Sequence, residues 1–362
     1  MSLRQQVSFW LIALIGFVVF LFVFRTVLLP FVAGMALAYL LDPLADWLEK
    51  VGLSRMWATL AILFIFLVVF VLAFIMILPI LGHQLSEFAS KLPGYISSLQ
   101  GLMTELVSDQ LHKVAGIGSE ELKTTVTDLL GQSASWLTGL LKSAWSGGQA
   151  LLSIISLAVV TPVVAFYLLY DWDRMIAKVD SWLPRDHVHT IRRLAHEMDE
   201  AVAGFVRGQL SVCLLLGAFY GIALSLAGLQ FGLLIGMGAG LISFIPYVGA
   251  SVGLVLSVGV ALVQFWPEWP SILIVAAIFA VGQFLEGNIL HPKLVGNSVG
   301  LHPVALMFAL FAFGALFGFV GLMIAVPASA MIAVLVRFAL QQYLVSSVYS
   351  GAKKEVPKGT QS

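Results

Sequence analysis

Charged side chains divide the chain into long apolar stretches: residues 5–24, 26–41, 56–86, 143–170, 208–267, 269–285 and 294–336 carry none. A charge at the centre of a membrane helix costs at least about 2.5 kcal/mol, so uncharged intervals of this length read as spans. The first follows MSLRQQ, is long enough to cross and lacks a small-residue cleavage site, which predicts a retained anchor helix rather than a signal peptide. It ends at Arg25; Pro30 follows and a short second span closes on AYLLDP, so residues 8–41 are expected to form a helical hairpin.

Two wetter stretches interrupt this pattern. Within 83–145, Tyr95, Leu99, Leu102 and Leu106 share a helical face; within 171–207, Val188, Ile191, Ala195, Met198, Val202 and Phe205 form a stripe opposite Arg192, Arg193, Glu197 and Glu200. Both predict amphipathic helices on or just outside the bilayer, with the charges as solvated faces. The tail AKKEVPKGTQS reads as short, polar and disordered.

Composition fixes the class. The chain is 60% hydrophobic and 10% charged, with a mean hydropathy of +1.00, far from the soluble range and that of an all-α polytopic membrane protein. Its net charge of zero gives no electrostatic footprint for nucleic acid. The single cysteine, Cys213, has no Cys or His neighbour at metal spacing and reads as packing; no metal site or cofactor is expected. The loop 83–145 has four basic residues, whereas 171–207 has six, and Arg337, Lys353, Lys354 and Lys358 follow near the C-terminus. The positive-inside rule then places both termini and 171–207 in the cytoplasm and 83–145 outside.

The longest intervals require a further break. An unbroken helix over 303–336 would be about 50 Å long, against a hydrocarbon core of about 30 Å. Splitting it at LFGFVG, or splitting 231–264 at IPYVG, gives two arms around a tip in each case. The halves align at an offset that pairs Gly228 and Leu229 with Gly300 and Leu301, Val248 and Gly249 with Val320 and Gly321, and Ser257 with Ser329. About eight hydrophobic elements are therefore expected, as eight crossings or as six spans plus two re-entrant hairpins arranged as inverted repeats. The loops favour hairpins: QFWPEWP (264–270) has no basic residue and would lie outside, whereas HPKLVGN (291–297) carries Lys293 and would lie inside. Paired broken helices of this kind expose backbone groups to a polar substrate at mid-membrane depth. Gly232, Gly236 and Gly240 also form a GxxxG run that serves close helix packing equally well.

The run GQFLEGNILHPKLVGNSVGLHPVALMFALFAFGALFGFVGLMIAVPASA, with ISFIPYVGA and AYLLDPLADWL, resembles the autoinducer-2 exporter (AI-2E) family of bacterial permeases. The likeness covers nearly the whole chain and is least in 83–145. It implies export of a small polar molecule, the namesake being the quorum-sensing furanone; some members are described as sodium or lithium/proton antiporters. It also implies a bacterial cytoplasmic membrane.

Glu286, ending a short apolar span, is the first candidate for substrate or ion contact; it and Asn288 match the E-G-N pattern, and Gln283 shares their face. Its alternative is an interface carboxylate or a partner of Lys293. His302 in GLHP is a hairpin-entrance residue or a proton carrier. Ser243, Pro246, Tyr247 and Gly249 line the first tip, and Gly318 and Gly321, with Pro327, belong to the second. Asp42 and Pro43 read as a helix end, and Pro292 as structural. Gly249–Gly253 matches G-x-S-x-G, with His291 or His302 as conceivable bases for an intramembrane protease. That motif requires a strand-to-helix elbow, which an apolar helical hairpin does not supply. No HExxH, Walker A or dinucleotide fingerprint occurs, so a primary ATP-driven pump is not expected either, and the chain is expected not to be an enzyme.

The organisation expected is a scaffold over 1–82, an extracytoplasmic amphipathic segment over 83–145, a span and cytoplasmic helix over 146–207, a transport unit over 208–340 and a tail over 341–362. The function expected is secondary export of a small polar solute, with autoinducer-2, a coupled proton or sodium, and a homo-oligomer held through 8–41. Cation/proton antiport and a noncatalytic scaffold are the alternatives.

Overall fold

Glycine and proline punctuate a chain whose regular elements are all helical among the described residues. The computed structural model describes residues 3–25, 27–114, 148–246, 248–296, 301–346 and 349. The helices are α1 (Leu3–Val23), α2 (Leu28–Lys50), α3 (Arg55–Val114), α4 (Gly148–Ser181), α5 (Val188–Leu226), α6 (Gly232–Ile242), α7 (Val248–Phe265), α8 (Trp269–Leu285) and α9 (Pro303–Val345). A short 3₁₀ turn over Arg185–His187 precedes α5, and a π-helix over Glu286–Val295 continues α8. Among the described residues six segments are long and apolar enough to cross a membrane: Leu28–Lys50, Arg55–Ile77, Arg185–Leu226, Val248–Phe265, Trp269–Val295 and Pro303–Val345.

Three boundaries correct the sequence reading. The second span does not close at AYLLDP, because α2 carries Pro43 inside it and runs on to Lys50. The third span does not end where charges begin: α3 is one helix of 60 residues, about 90 Å at the helical rise, that absorbs Pro79, Pro93 and residues 83–114 of the wet stretch. The second arm of the last hairpin passes Arg337 to Val345. The remaining wet segment, 115–147, and the tail from 350 lie outside the described residues, and Arg25 stands at the break between α1 and α2.

The chain forms two compact units, one comprising Thr26–Trp172 and Arg207–Val295, the other Met1–Arg25, Asp173–Val206 and Gly296–Ser362. In the first, Leu37, Ala38, Leu41 and Ala45 of α2 pack with Ile62 of α3 and Ala165 and Leu169 of α4. The α2–α4 approach is close because Gly34 has no Cβ; one added there would lie 2.7 Å from Val164 Cβ. Lipid tails are as apolar as leucine, so association depends on packing of small residues rather than escape from water. The GxxxG run supplies that packing: Gly236 and Gly240 of α6 face the backbone at Gly221 and Gly217 of α5. Gly228 (φ 74°) and Phe231 (φ 63°) turn α5 into α6, and α6 and α7 then pack together as a helical hairpin with residues 243–246 at its tip.

In the other unit, α9 is interrupted at Gly318, whose φ of 62° and ψ of −137° are non-helical. A Cβ at Gly314 would lie 2.9 Å from Leu322, and one at Gly321 would strike the Phe313 carbonyl. Residues that far apart on a straight helix do not touch, so the chain doubles back at Gly318 and the expected LFGFVG tip is a real reversal. Arg192 forks onto Asp180 in the same unit at 2.6 and 2.7 Å, joining α4 to α5 and holding the Asp180 carboxyl below the usual carboxylate range.

Candidate functional site

The first hairpin is tied down at its base by amides. Gln84 on α3 accepts from Leu234 N at 3.1 Å, satisfying a first-turn N–H of α6 that has no helical partner. Tyr95 donates to Gln230 at 2.6 Å, and Gln264 on α7 accepts from Gln230 N while donating to Gly228 O at 2.8 Å. The rings of Phe88 and Tyr95 pack edge-on against Phe231. The extension of α3 beyond the bilayer-length segment thus holds the mouth of the hairpin.

At the tip, Ser243 is 2% exposed and donates its hydroxyl to Ala239 O at 2.9 Å. Gly249 lies against Ser243 so closely that any Cβ would strike its backbone. Pro246 is half-buried in the break, and Tyr247 lies outside the described residues. The Ser243 carbonyl accepts at 2.6 Å from Nε2 of Gln209 on α5, a fully buried residue whose Oε1 has no partner. Gln209 escaped the sequence reading because a neutral amide beside Arg207 looks like the margin of a span. Ser251 sits inside α7, in its first turns, so G-x-S-x-G lies within a helix and not on an elbow.

The α8 helix widens into the π segment where Glu286 begins, and i→i+5 turns of this kind recur at functional sites. Pro292 inside it lacks an N–H, which weakens ordinary α bonding there. Glu286 is 14% exposed; its Oε2 accepts from Gln283 Nε2 at 2.8 Å and its Oε1 lies 3.6 Å from His291 Nε2. Neither of its close partners is Lys293, the partner considered from sequence. His291 Nε2 is buried and makes no hydrogen bond. Asn288 turns back to Phe284 O at 3.1 Å and is exposed. Across the packing seam, Glu286 is near enough to Cys213 of α5 to act on it electrostatically. The end of the π segment also meets α5: a Cβ at Gly208 would lie 2.7 Å from the Leu294 carbonyl carbon. The structure thus joins Gln283, Glu286 and His291 in one group, and Ser243 and Gly249 with Gln209 in another.

The remaining candidates lie in the other unit. His302 caps α9, its Nδ1 accepting from Val304 N at 3.3 Å, which fits a hairpin-entrance residue. Gly318 and Gly321 form the reversal, and Pro327 lies inside the second arm.

Asp42 is not at a helix end. Together with Asp46 and Glu49 it makes one acidic face of α2, and Arg55 reaches all three at 2.9, 2.6 and 3.0 Å while Nε donates to Leu169 O. Arg207 donates to Tyr39 O at 2.7 Å and approaches Asp42 at 3.5 Å. The spacing of 42, 46 and 49 ahead of Arg55 was the available signal.

A family profile described as AI-2E family transporter matches residues 10–341. YrrI of Bacillus subtilis strain 168 is 30% identical over 316 residues, 87% of each chain, and PerM of Escherichia coli strain K12 is 28% identical over 344 residues, 91% of each. YueF of Bacillus subtilis strain 168 is 25% identical over 352 residues, covering 91% of this chain and 92% of its own. The names these relatives carry propose transport for YrrI and YueF and a permease for PerM.

Proposed function

The chain belongs to the AI-2E transporter family, and we propose that it is a secondary transporter exporting a small polar solute across a bacterial cytoplasmic membrane, with both termini in the cytoplasm. The observation that carries this reading is Glu286: a carboxylate, 14% exposed, placed where an apolar helix loses its α-helical bonding. Ionisable groups in apolar spans are expensive to retain and mark substrate or ion pathways. The two glycine-tipped hairpins support a pair of re-entrant elements related as inverted repeats. At the sequence offset, Gly249 aligns with Gly321, and each seats the close approach behind its own tip. In this reading the hairpins move solute, the first helices are the fixed frame, and α1 with α2 is the contact between subunits of a homo-oligomer.

Autoinducer-2 is the solute the family name proposes. The Glu286–His291 approach favours a second reading, cation/proton antiport, because a carboxylate and an imidazole 3.6 Å apart suit exchange of a proton for a monovalent cation. Everted vesicles separate them. Uptake of labelled furanone supports export, sodium- or lithium-dependent proton flux supports antiport, and absence of both from vesicles rich in the protein sinks transport in favour of a scaffold.

A further inference from the structure

We propose that Gln209 contacts the transported solute directly through Oε1, and that the face of α5 carrying Gln209 and Cys213 is a wall of the solute path. This rests on the transport reading and adds to it a residue and a ligand chemistry. Gln209 is 0% exposed, and its amide orientation is fixed, since only the nitrogen can donate to Ser243 O at 2.6 Å. The carbonyl end is therefore committed elsewhere, and it has no partner. A buried acceptor without a donor destabilises the state that contains it. The bond to Ser243 O accounts for the nitrogen end of Gln209 but not for its carbonyl end; a donor that arrives with a ligand does.

Position supports the same conclusion. Gln209 joins α5 to the hairpin tip, and the preceding Gly208 takes the backbone of Leu294 and Val295 at the end of the π segment. Two interrupted helices therefore meet α5 within one dipeptide. One turn further along the same face is Cys213, within electrostatic reach of Glu286. The interval 208–267 that supplies this acceptor contains no charge, and an amide oxygen accepts the hydroxyl or N–H of a neutral solute; the nearby Glu286 carboxylate would favour a cation instead, and a pair of thiol reagents separates the two.

Cys213 is the chain's one cysteine, and its thiol reports on this face without knowledge of the substrate. Full-length protein in native membranes is treated with 2-hydroxyethyl methanethiosulfonate and, separately, with its trimethylammonium analogue, and the mass shift at Cys213 is followed. The neutral reagent is expected to modify Cys213 about tenfold faster than the cationic one, after correction for their rates on free thiol. An unmodified thiol that reacts only after denaturation overturns the solute path, and equal rates overturn the neutral ligand. Gln209→Met removes the donor to Ser243 O along with Oε1, so it is expected to lower the melting midpoint and to lose about tenfold in furanone flux. Gln209→Asn, which keeps both amide groups but withdraws them by one methylene, is expected to fold and show the same loss. Wild-type flux in a folded form of either variant overturns the contact. If the unmodified protein carries no furanone, the choice of furanone as solute fails rather than transport itself, and the thiol rates alone decide this inference.

Discussion

The carbonyl of Phe313 occupies the place that a Gly321 side chain would take. Along a straight helix these residues would be about 12 Å apart, so the contact exists only because the chain reverses at Gly318. Gly321→Ala is therefore expected to destabilise the hairpin by about 1–3 kcal/mol through overpacking and to reduce flux. Gly318→Ala, at a φ of 62° and ψ of −137°, is expected to cost about as much through backbone strain. Gly238→Ala, with nothing within 4 Å, is the control and should leave both unchanged. Thermal unfolding in detergent gives the comparison; a Gly321→Ala protein as stable as the Gly238→Ala control would mean the reversal is not built on this contact.

Arg55 is the hub of α2. Its removal leaves Asp46 and Glu49 without their cation and Asp42 with only the longer approach of Arg207, and takes the donor from the Leu169 carbonyl. The carboxylates are partly exposed, so the loss should fall between that of a surface pair and that of a buried one, at about 2 kcal/mol for Arg55→Ala. Lysine keeps the charge but not the fork, so Arg55→Lys should recover only part of it. An unfolding midpoint unchanged in Arg55→Ala would show the network to be incidental.

What was legible in the sequence followed from length and from backbone chemistry. A 43-residue apolar element cannot cross the bilayer as a straight rod, and only glycine accepts the turn at 318, so the second tip could be placed to within a few residues. The all-helical class came from composition alone. The errors share another cause: charges and prolines were read as ends. Pro43 sits inside α2 because local packing and the Arg55 network outweigh one missing hydrogen bond, and α3 carries its helix through Glu87 and Lys91, which pair on its surface at 2.7 Å. Gln209 was not legible as a site residue, and His291, singled out only as a conceivable protease base, was not legible as a neighbour of Glu286, since only the tip and the π segment bring their side chains to Ser243 and Glu286.

Topology separates six spans with two re-entrant hairpins from eight crossings. QFWPEWP lacks basic residues, while Lys293 lies in the π segment that ends before the next loop. In a Cys213→Ser background, a cysteine at Glu268 should label from outside and one at Ser298 from the cytoplasm, read with a membrane-impermeant maleimide on intact cells and everted vesicles. The reverse pattern would replace both re-entrant elements with full crossings.

Glu286 supplies the most direct test of the proposed transport. Its carboxylate is nearly enclosed, accepts from Gln283 and faces His291, so it is neither a free interface charge nor the anchor of a salt bridge to lysine. Glu286→Gln keeps the shape but removes the charge and turns one acceptor into a donor, opposing the Gln283 amide. Loss of a charged buried partner in the path should lower flux by about tenfold or more, while expression and unfolding midpoint stay close to wild type. If this carboxylate carries the coupled proton, the variant's residual flux should also lose its pH dependence, whereas His291→Gln should shift that dependence and retain part of the flux. Direction of effect distinguishes the roles: a purely structural Glu286 would lower the midpoint and leave the pH profile of the surviving protein intact. Wild-type flux with a wild-type pH profile in a well-folded Glu286→Gln protein would remove the principal support for this site.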